Sequence, residues 1–212
     1  MDFHMRNTTF ISSIVLSVVC VSAANAAVAF DSFTVAQSAT ADDLTVGIDW
    51  ATPSSSQPIF GASGSRSAFA YNGVCSTSVS AGTATFTSTN NGYSGMGLFY
   101  SGSAQDLTGY TFSFDLNMTG ANSVLEVHFG FGFGSEALFF VNYTTAGSYT
   151  VDLSTVGDNG VSDYTAITDI MINLQAQSGG SATVSNFTYT PAPGAIALLG
   201  AAGLIGARRR RD

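Results

Sequence analysis

Glu126 and His128 are the two side chains in this sequence best placed to do chemistry. They sit in the run Glu126-Val127-His128-Phe129-Gly130-Phe131-Gly132-Phe133-Gly134. A strand repeat of two places Leu125, Val127, Phe129, Phe131 and Phe133 on one face. Glu126, His128, Gly130, Gly132 and Gly134 fall on the other. The aromatic face reads as core. The glycine face leaves room for another group to approach the backbone. It reads either as the floor of a ligand cleft with Glu126 and His128 at its rim, or as a twisted strand packed under a loop. It is not a dinucleotide fingerprint, because the third glycine is misplaced and no helix follows. Sugar binding would add exposed aromatics for stacking. Trp50 joins the candidate ligand face on that ground, with Tyr93, Tyr100 and Tyr143 as further candidates near turns or strand ends.

Catalytic patterns are thin. Glycoside hydrolysis needs two carboxylates, and Glu126 and Glu136 are the only glutamates. Ten positions apart, they can at best share adjacent strands. His128 could serve a Ser–His–Asp arrangement, but no G-x-S-x-G elbow accompanies it. Outside the N-terminal leader only His128 and Cys75 remain as soft metal ligands, which excludes a His/Cys-rich metal site. Hard oxygen ligands are more plentiful. Asp31 and Asp152 are the candidate calcium ligands, and Asp42, Asp43, Asp158, Asp163 and Asp169 also lie in or near loops. Asp158-Asn159-Gly160 lacks the full spacing of an EF-hand loop. Structural Ca²⁺ is thus the one cofactor to consider. Cys75 has no partner once the leader is removed, so it reads as a small buried residue and no disulfide framework exists.

Charge restricts the partners. The 212 residues carry 9% charged side chains and a net charge of −8, with no Lys. Of six Arg, Arg6 lies near the N-terminus and 208–211 close the chain, which leaves Arg66 alone against twelve acids between Asp31 and Asp169. A body so acidic is not built for nucleic acid, whose phosphates require Lys and Arg.

The elements that must position these residues are strands. Val28, Phe30, Phe33 and Val35 open the body, and Leu44–Trp50 alternates. Thr52–Arg66 is a loop rich in Ser, Pro and Gly. Strands are expected at Ser67–Tyr71, Cys75–Ser80, Thr83–Ser88 and Gly95–Tyr100. The clearest runs from Tyr110 to Met118, where Tyr110, Phe112, Phe114, Leu116 and Met118 alternate with polar residues. Val124–Gly134, Ala137–Tyr143, Ser148–Leu153, Ile167–Gln175 and Ala182–Tyr189 complete the set. Many short alternating runs between Gly and Asn turns indicate an all-β, antiparallel β-sandwich of jelly-roll type. Sixteen Phe and eight Tyr suffice to fill its core.

Both ends read as addresses. Arg6, the apolar stretch Phe10–Val21 and the small-x-small triplet Ala24-Asn25-Ala26 form a secretory signal, with cleavage before Ala27. Cys20 follows Val18 and Val19, so it does not complete a lipobox. At the other end Pro191-Ala192-Pro193-Gly194 leads into the apolar stretch Ala195–Ala207. Arg208, Arg209, Arg210 and Arg211 follow, the arrangement of a membrane stop with its arginines in the cytoplasm. The apolar part is shorter than the ~20 residues of a full span. This tail resembles the PEP-CTERM sorting signal of Gram-negative bacterial surface proteins. Pro191 and Pro193 match the family's two prolines, with Ala192 where the family has Glu. The resemblance implies cleavage by an exosortase and transfer to the cell surface or extracellular matrix. Separately, Tyr164–Tyr189 resembles the closing strands of galactose-binding-like sandwiches, with Ser185-Asn186-Phe187 at the "DNF"-like position.

The expected organisation is a signal helix over 1–26, a β-sandwich over 27–190, and a sorting tail with an apolar helix over 191–212. The expected function is that of an exported surface or matrix protein. It would be anchored transiently in the inner membrane, processed by signal peptidase and exosortase, and carry a non-catalytic structural or polysaccharide-binding body. The alternative is a secreted hydrolase acting on polysaccharide.

Overall fold

A computed structural model describes residues 26–42, 47–49, 59–60, 64–89, 94–120, 122–130, 139–153, 164–176 and 179–192. Of the segments expected to carry helices, 1–26 and 191–212, residues 1–25 and 193–212 lie outside the described residues, and Ala26, Pro191 and Ala192 are not helical. No α-helix occurs among the described residues, and none of their helices is long and apolar enough to cross a membrane.

The described residues form thirteen strands: β1 (Val28–Asp31), β2 (Gln37–Ala41), β3 (Gly47–Asp49), β4 (Ser65–Tyr71), β5 (Cys75–Ser80), β6 (Thr83–Ser88), β7 (Ser94–Gln105), β8 (Thr111–Thr119), β9 (Val124–Gly130), β10 (Phe139–Tyr143), β11 (Gly147–Asp152), β12 (Ile167–Ala176) and β13 (Ser181–Thr190). They make two antiparallel sheets. The first runs β11-β8-β13-β6-β5-β2, with β1 also paired to β13. The second runs β10-β9-β12-β7-β4-β3. The all-β, two-sheet expectation holds. β5 and β6 have the expected bounds, and β7 runs five residues further than expected. β2 was not expected: its core residues are Ala39 and Ala41, too small to mark a period.

The core lies between the sheets, filled from alternate positions. Phe112, Phe114 and Leu116 point in from β8, Leu125, Val127 and Phe129 from β9, and Ile170, Ile172 and Leu174 from β12. Phe30 is the hub of the aromatics, with ring centroids 4.7 Å from Phe187, 4.9 Å from Tyr100 and 5.7 Å from Phe112. Phe187 reaches this hub through a bulge. On β13 Ala182 and Val184 face inward, and the register shifts between Ser185 and Thr188. Asn186 takes a left-handed φ of 52° and donates from Nδ2 to Asp115 Oδ2 at 2.6 Å. The extra residue switches the inward parity, so Phe187 is buried.

The one cation of the body is in the core. Arg66, on β4 of the second sheet, is fully buried and reaches across to the first sheet. Its Nη1 donates to Asp31 Oδ2 on β1 at 2.5 Å and its Nε to Gln37 Oε1 on β2 at 2.5 Å. Nη2 donates to the Val35 carbonyl. Gln37 returns a bond from Nε2 to the Arg66 carbonyl at 2.9 Å, and Asp31 Oδ1 accepts the Phe33 N–H at 2.7 Å. The last bond helps hold Phe33 at φ 53°, an unfavourable region for a bulky side chain. A buried guanidinium is tolerable only when its donors are met, as these are.

Replacing Arg66 with Met leaves Asp31 as an unpaired buried charge. This should cost about 3–5 kcal/mol in denaturant unfolding. Adding Asp31→Leu to Arg66→Met should recover a large part of that loss, because two apolar groups then replace the pair.

Candidate functional site

The outward face of the second sheet brings together residues from β9, β12, β7 and β4. Glu126 stands opposite Asn173, and Val124 opposite Gln175. The next strand presents Gly97 opposite Asn173 and Gly95 opposite Gln175. Phe69 and Tyr71 of β4 then pair with Gly97 and Gly95. A polar patch therefore adjoins an aromatic one, with glycines between.

Glu126 organises the polar patch. Its Oε2 accepts from Gln175 Nε2 at 2.8 Å and Asn173 Nδ2 at 3.2 Å, and lies 3.1 Å from His128 Nε2. The Glu126 and His128 side chains are 16% and 14% exposed. Burial pushes the Glu126 carboxyl up. The His128 bond and charge and the two amides outweigh burial and hold it below its ordinary value. Asn173 is buried, and its Oδ1 accepts no hydrogen bond.

The aromatic patch lies flat on β7. The Phe69 and Tyr71 rings stack with centroids 6.1 Å apart and planes 24° from parallel. A Cβ on Gly95 would lie 2.2 Å from the Tyr71 ring, so only glycine lets the ring settle there. The Tyr71 hydroxyl is pushed up by burial and by the Glu126 charge, with Asn173 opposing.

The expected site residues fare unevenly. Glu126 and His128 are adjacent on the half-buried face, as the alternation implied. Gly130 shares it, but it is not an open floor: the Asp169 carboxylate fills the space, 2.4 Å from where a Cβ would stand. Gly132 and Trp50 lie outside the described residues, as do Tyr93 and Glu136. Tyr100 is fully buried in the core, and Tyr143 is buried against Phe114 and Tyr149, so neither is a sugar platform. Burial pushes the Tyr143 hydroxyl up to about 12, with a contribution from Tyr149. Asp31 is not a calcium ligand, because its two oxygens are committed to Arg66 and the Phe33 N–H. Asp152 ends β11, and no group of three or more His, Cys, Asp or Glu among the described residues could hold a metal. Cys75 is buried, with Sγ directed to the carbonyls of Tyr71 and Gly95. Burial pushes its thiol up, away from reactivity.

Phe69, Tyr71, Asn173 and Gln175 were missed as site residues. Asn173 and Gln175 alternate with Ile172 and Leu174, a signal the sequence carries. Phe69 and Tyr71 alternate with Ala68 and Ala70, and the larger residues would be expected inside. The structure turns them out, with Ala68 and Ala70 in the core.

No protein-family model and no curated protein sequence matches this chain. Among solved structures it is similar to the family 11 carbohydrate-binding module of the cellulosomal cellulase Lic26A-Cel5E of Clostridium thermocellum, at TM-score 0.45 and 15% identity, covering 80% of this chain and 96% of that one. It is similar to a family 29 carbohydrate-binding module at TM-score 0.39 and 15% identity, covering 74% and 91%. It is also similar to TmCBM61 in complex with β-1,4-galactotriose at TM-score 0.37 and 13% identity, covering 75% and 90%. Likeness at this level identifies neither ligand nor activity.

The lowered Glu126 value sets a sign. A carboxyl held below its unfolded value contributes stability above that value, ~4.3 for glutamate, and loses it as pH falls through the folded value. Glu126→Gln should therefore be less stable than wild type at pH 7, with the difference closing below about pH 4. Unfolding free energies measured from pH 3 to 7 on both proteins check this.

Proposed function

We propose that the body is a non-catalytic, polysaccharide-binding β-sandwich of jelly-roll, galactose-binding-like class, exported and sorted through its C-terminal tail. One observation carries the binding reading. A stacked aromatic pair, Phe69 and Tyr71, lies flat on the same sheet face as a linked carboxylate, imidazole and two amides. Ring faces offer apolar surface to a sugar ring, and carboxylate and amide oxygens accept from its hydroxyls. Sites that fix small ligands combine these ingredients: a mainly apolar lining and a few placed polar groups.

Among the described residues the spacing of carboxylates supports binding over hydrolysis. Asp169 shares the outward face with Glu126 but stands four residues along β12 from Asn173, the residue opposite Glu126. At ~3.3 Å per residue that is ~13 Å, beyond the ~5–9.5 Å that separates glycosidase carboxyls.

Export is read from the ends of the chain. Ala26 and Ala27 are exposed ahead of β1, open to a signal peptidase. At the other end Pro191 and Ala192 leave β13 half-buried, with Ala192 close to Gly109, and 193–212 continue outside the described residues. An exosortase acting near the prolines would release the body intact, because β13 ends at Thr190.

Tyr71→Ala should weaken polysaccharide binding by about three- to tenfold, the worth of one aromatic stacking contact. Affinity electrophoresis against a panel of soluble polysaccharides checks this. Unchanged mobility of both proteins in every gel would sink the binding reading. Replacing 208–211 with Ala should move the protein from the cell surface into the medium or retain it unprocessed. Surface labelling and immunoblots of cell fractions would detect either result.

A further inference from the structure

We infer that the ligand of the Glu126 face is an amino glycan, a polysaccharide carrying protonated amines beside its hydroxyls, rather than one carrying carboxylates or sulfates. The inference rests on the polysaccharide-binding reading and adds the chemical class of the ligand.

The hydrogen-bond inventory of the site is one-sided. Gln175 Nε2 and Asn173 Nδ2 both donate inward, and to the same atom, Glu126 Oε2. Amide nitrogens are the donors that would greet a carboxylate or sulfate, and here one N–H of each is engaged by Glu126. The oxygens are not. Glu126 Oε1 takes no part in the network, and Asn173 Oδ1, in a side chain 3% exposed, accepts nothing. Gln175 gives one of its two N–H donors to Glu126 and keeps its carbonyl oxygen as an acceptor. A group that meets Glu126 Oε1 and the Gln175 carbonyl oxygen must bring donors. A hydroxyl brings one and an ammonium brings three, and the ammonium also meets the Glu126 charge in a half-buried setting, where such bonds are stronger.

The wider charge pattern agrees. Between residues 27 and 190 there is no Lys, and Arg66 is the only Arg. It is fully buried and bound to Asp31, so it presents no charge to a ligand. His128, the only other basic side chain of the body, faces Glu126. Twelve acids against one Arg leave this region at −11. A polyanion would meet repulsion on approach and, on arrival, no basic side chain but His128, which faces Glu126, whereas a polycation is steered inward.

The test is isothermal titration of the full chain with oligosaccharides of matched length: β-1,4-linked glucosamine, its N-acetylated counterpart and a polyuronate. The expected order is glucosamine tightest, by about tenfold over the N-acetylated form, and polyuronate undetectable. Affinity for the glucosamine oligomer should fall between 50 mM and 500 mM NaCl, while the N-acetylated form changes little. Glu126→Gln should remove most of the tenfold preference, with a thermal melt confirming that the variant folds. Should Glu126→Gln fail to fold, the ligand order and salt response of the wild type decide alone. Polyuronate binding as tight as glucosamine, or equal affinities for the amine and its N-acetylated form, overturns the amino-glycan inference and leaves polysaccharide binding standing. Absence of binding to all three, together with no retardation in the polysaccharide gels, overturns both.

Discussion

Arg66 enters the core from β4 and meets Asp31 and Gln37 from the opposite sheet, and this contact decides which way β4 faces. Strand side chains alternate strictly, so a residue that must point inward fixes every second neighbour. With Arg66 inside, Ala68 and Ala70 are inside as well, and Phe69 and Tyr71 are turned out. A one-residue slip would bury two aromatics, but it would also pull the guanidinium from three acceptors and strand Asp31 in the core. Such a stranded charge costs about 3–5 kcal/mol, and forcing two aromatics into space that two fully buried alanines now fill would overpack the core as well. The ion pair thus works less as a source of stability than as a selector of register, and the outward aromatic pair is its by-product.

With Arg66 consumed inside, the described residues of the first sheet's outward face are managed without salt bridges. The outward face of the first sheet uses hydroxyls instead. Ser76 and Thr87 lie 2.6 Å apart, Thr119 and Ser181 2.7 Å, and Ser113 and Thr150 3.1 Å, all across neighbouring strands. Asp115 sits among them, accepting from Ser148 at 2.5 Å and from Asn186. These bonds hold its carboxyl below the ordinary value. Cross-strand hydroxyl pairs each contribute only tenths of a kcal/mol, but they are neutral and respond little to salt. The two faces are accordingly different surfaces: one a flat lattice of small hydroxyls, the other a half-buried aromatic and carboxylate patch.

Legibility in the sequence followed the size of the signal. β8 was plain because five large apolar residues alternate with polar ones. The pair β5 and β6 was plain because its strands flank Ala81-Gly82, which the fold uses as a tight two-residue turn with φ of 49° and 86°. Glu126 and His128 could be placed on one face because Leu125, Val127 and Phe129 mark the other. β2 was invisible because alanines are a weak core signal. Phe69 and Tyr71 carry no sign of facing outward because size normally predicts burial, and a lone Arg at position 66 gives no hint that it lies inside. Asp31 read as a loop carboxylate for a cation, and it does meet one, but that cation is a guanidinium 35 positions further along the chain. No local pattern reveals a contact of that separation.

Two glycines on the second sheet tie the core constraint to the site. Gly95 is the seat of the Tyr71 ring and Gly130 the seat of the Asp169 carboxylate. Each is a position where the sheet gives up a side chain so that one from a neighbouring strand can lie down. Lying flat, Tyr71 comes under the influence of Glu126 and Asn173. The aromatic and polar patches are therefore a continuous surface rather than two adjoining ones. The order of dependence runs from Arg66 to the facing of β4, from that facing to Tyr71, and from Tyr71 to the Glu126 network.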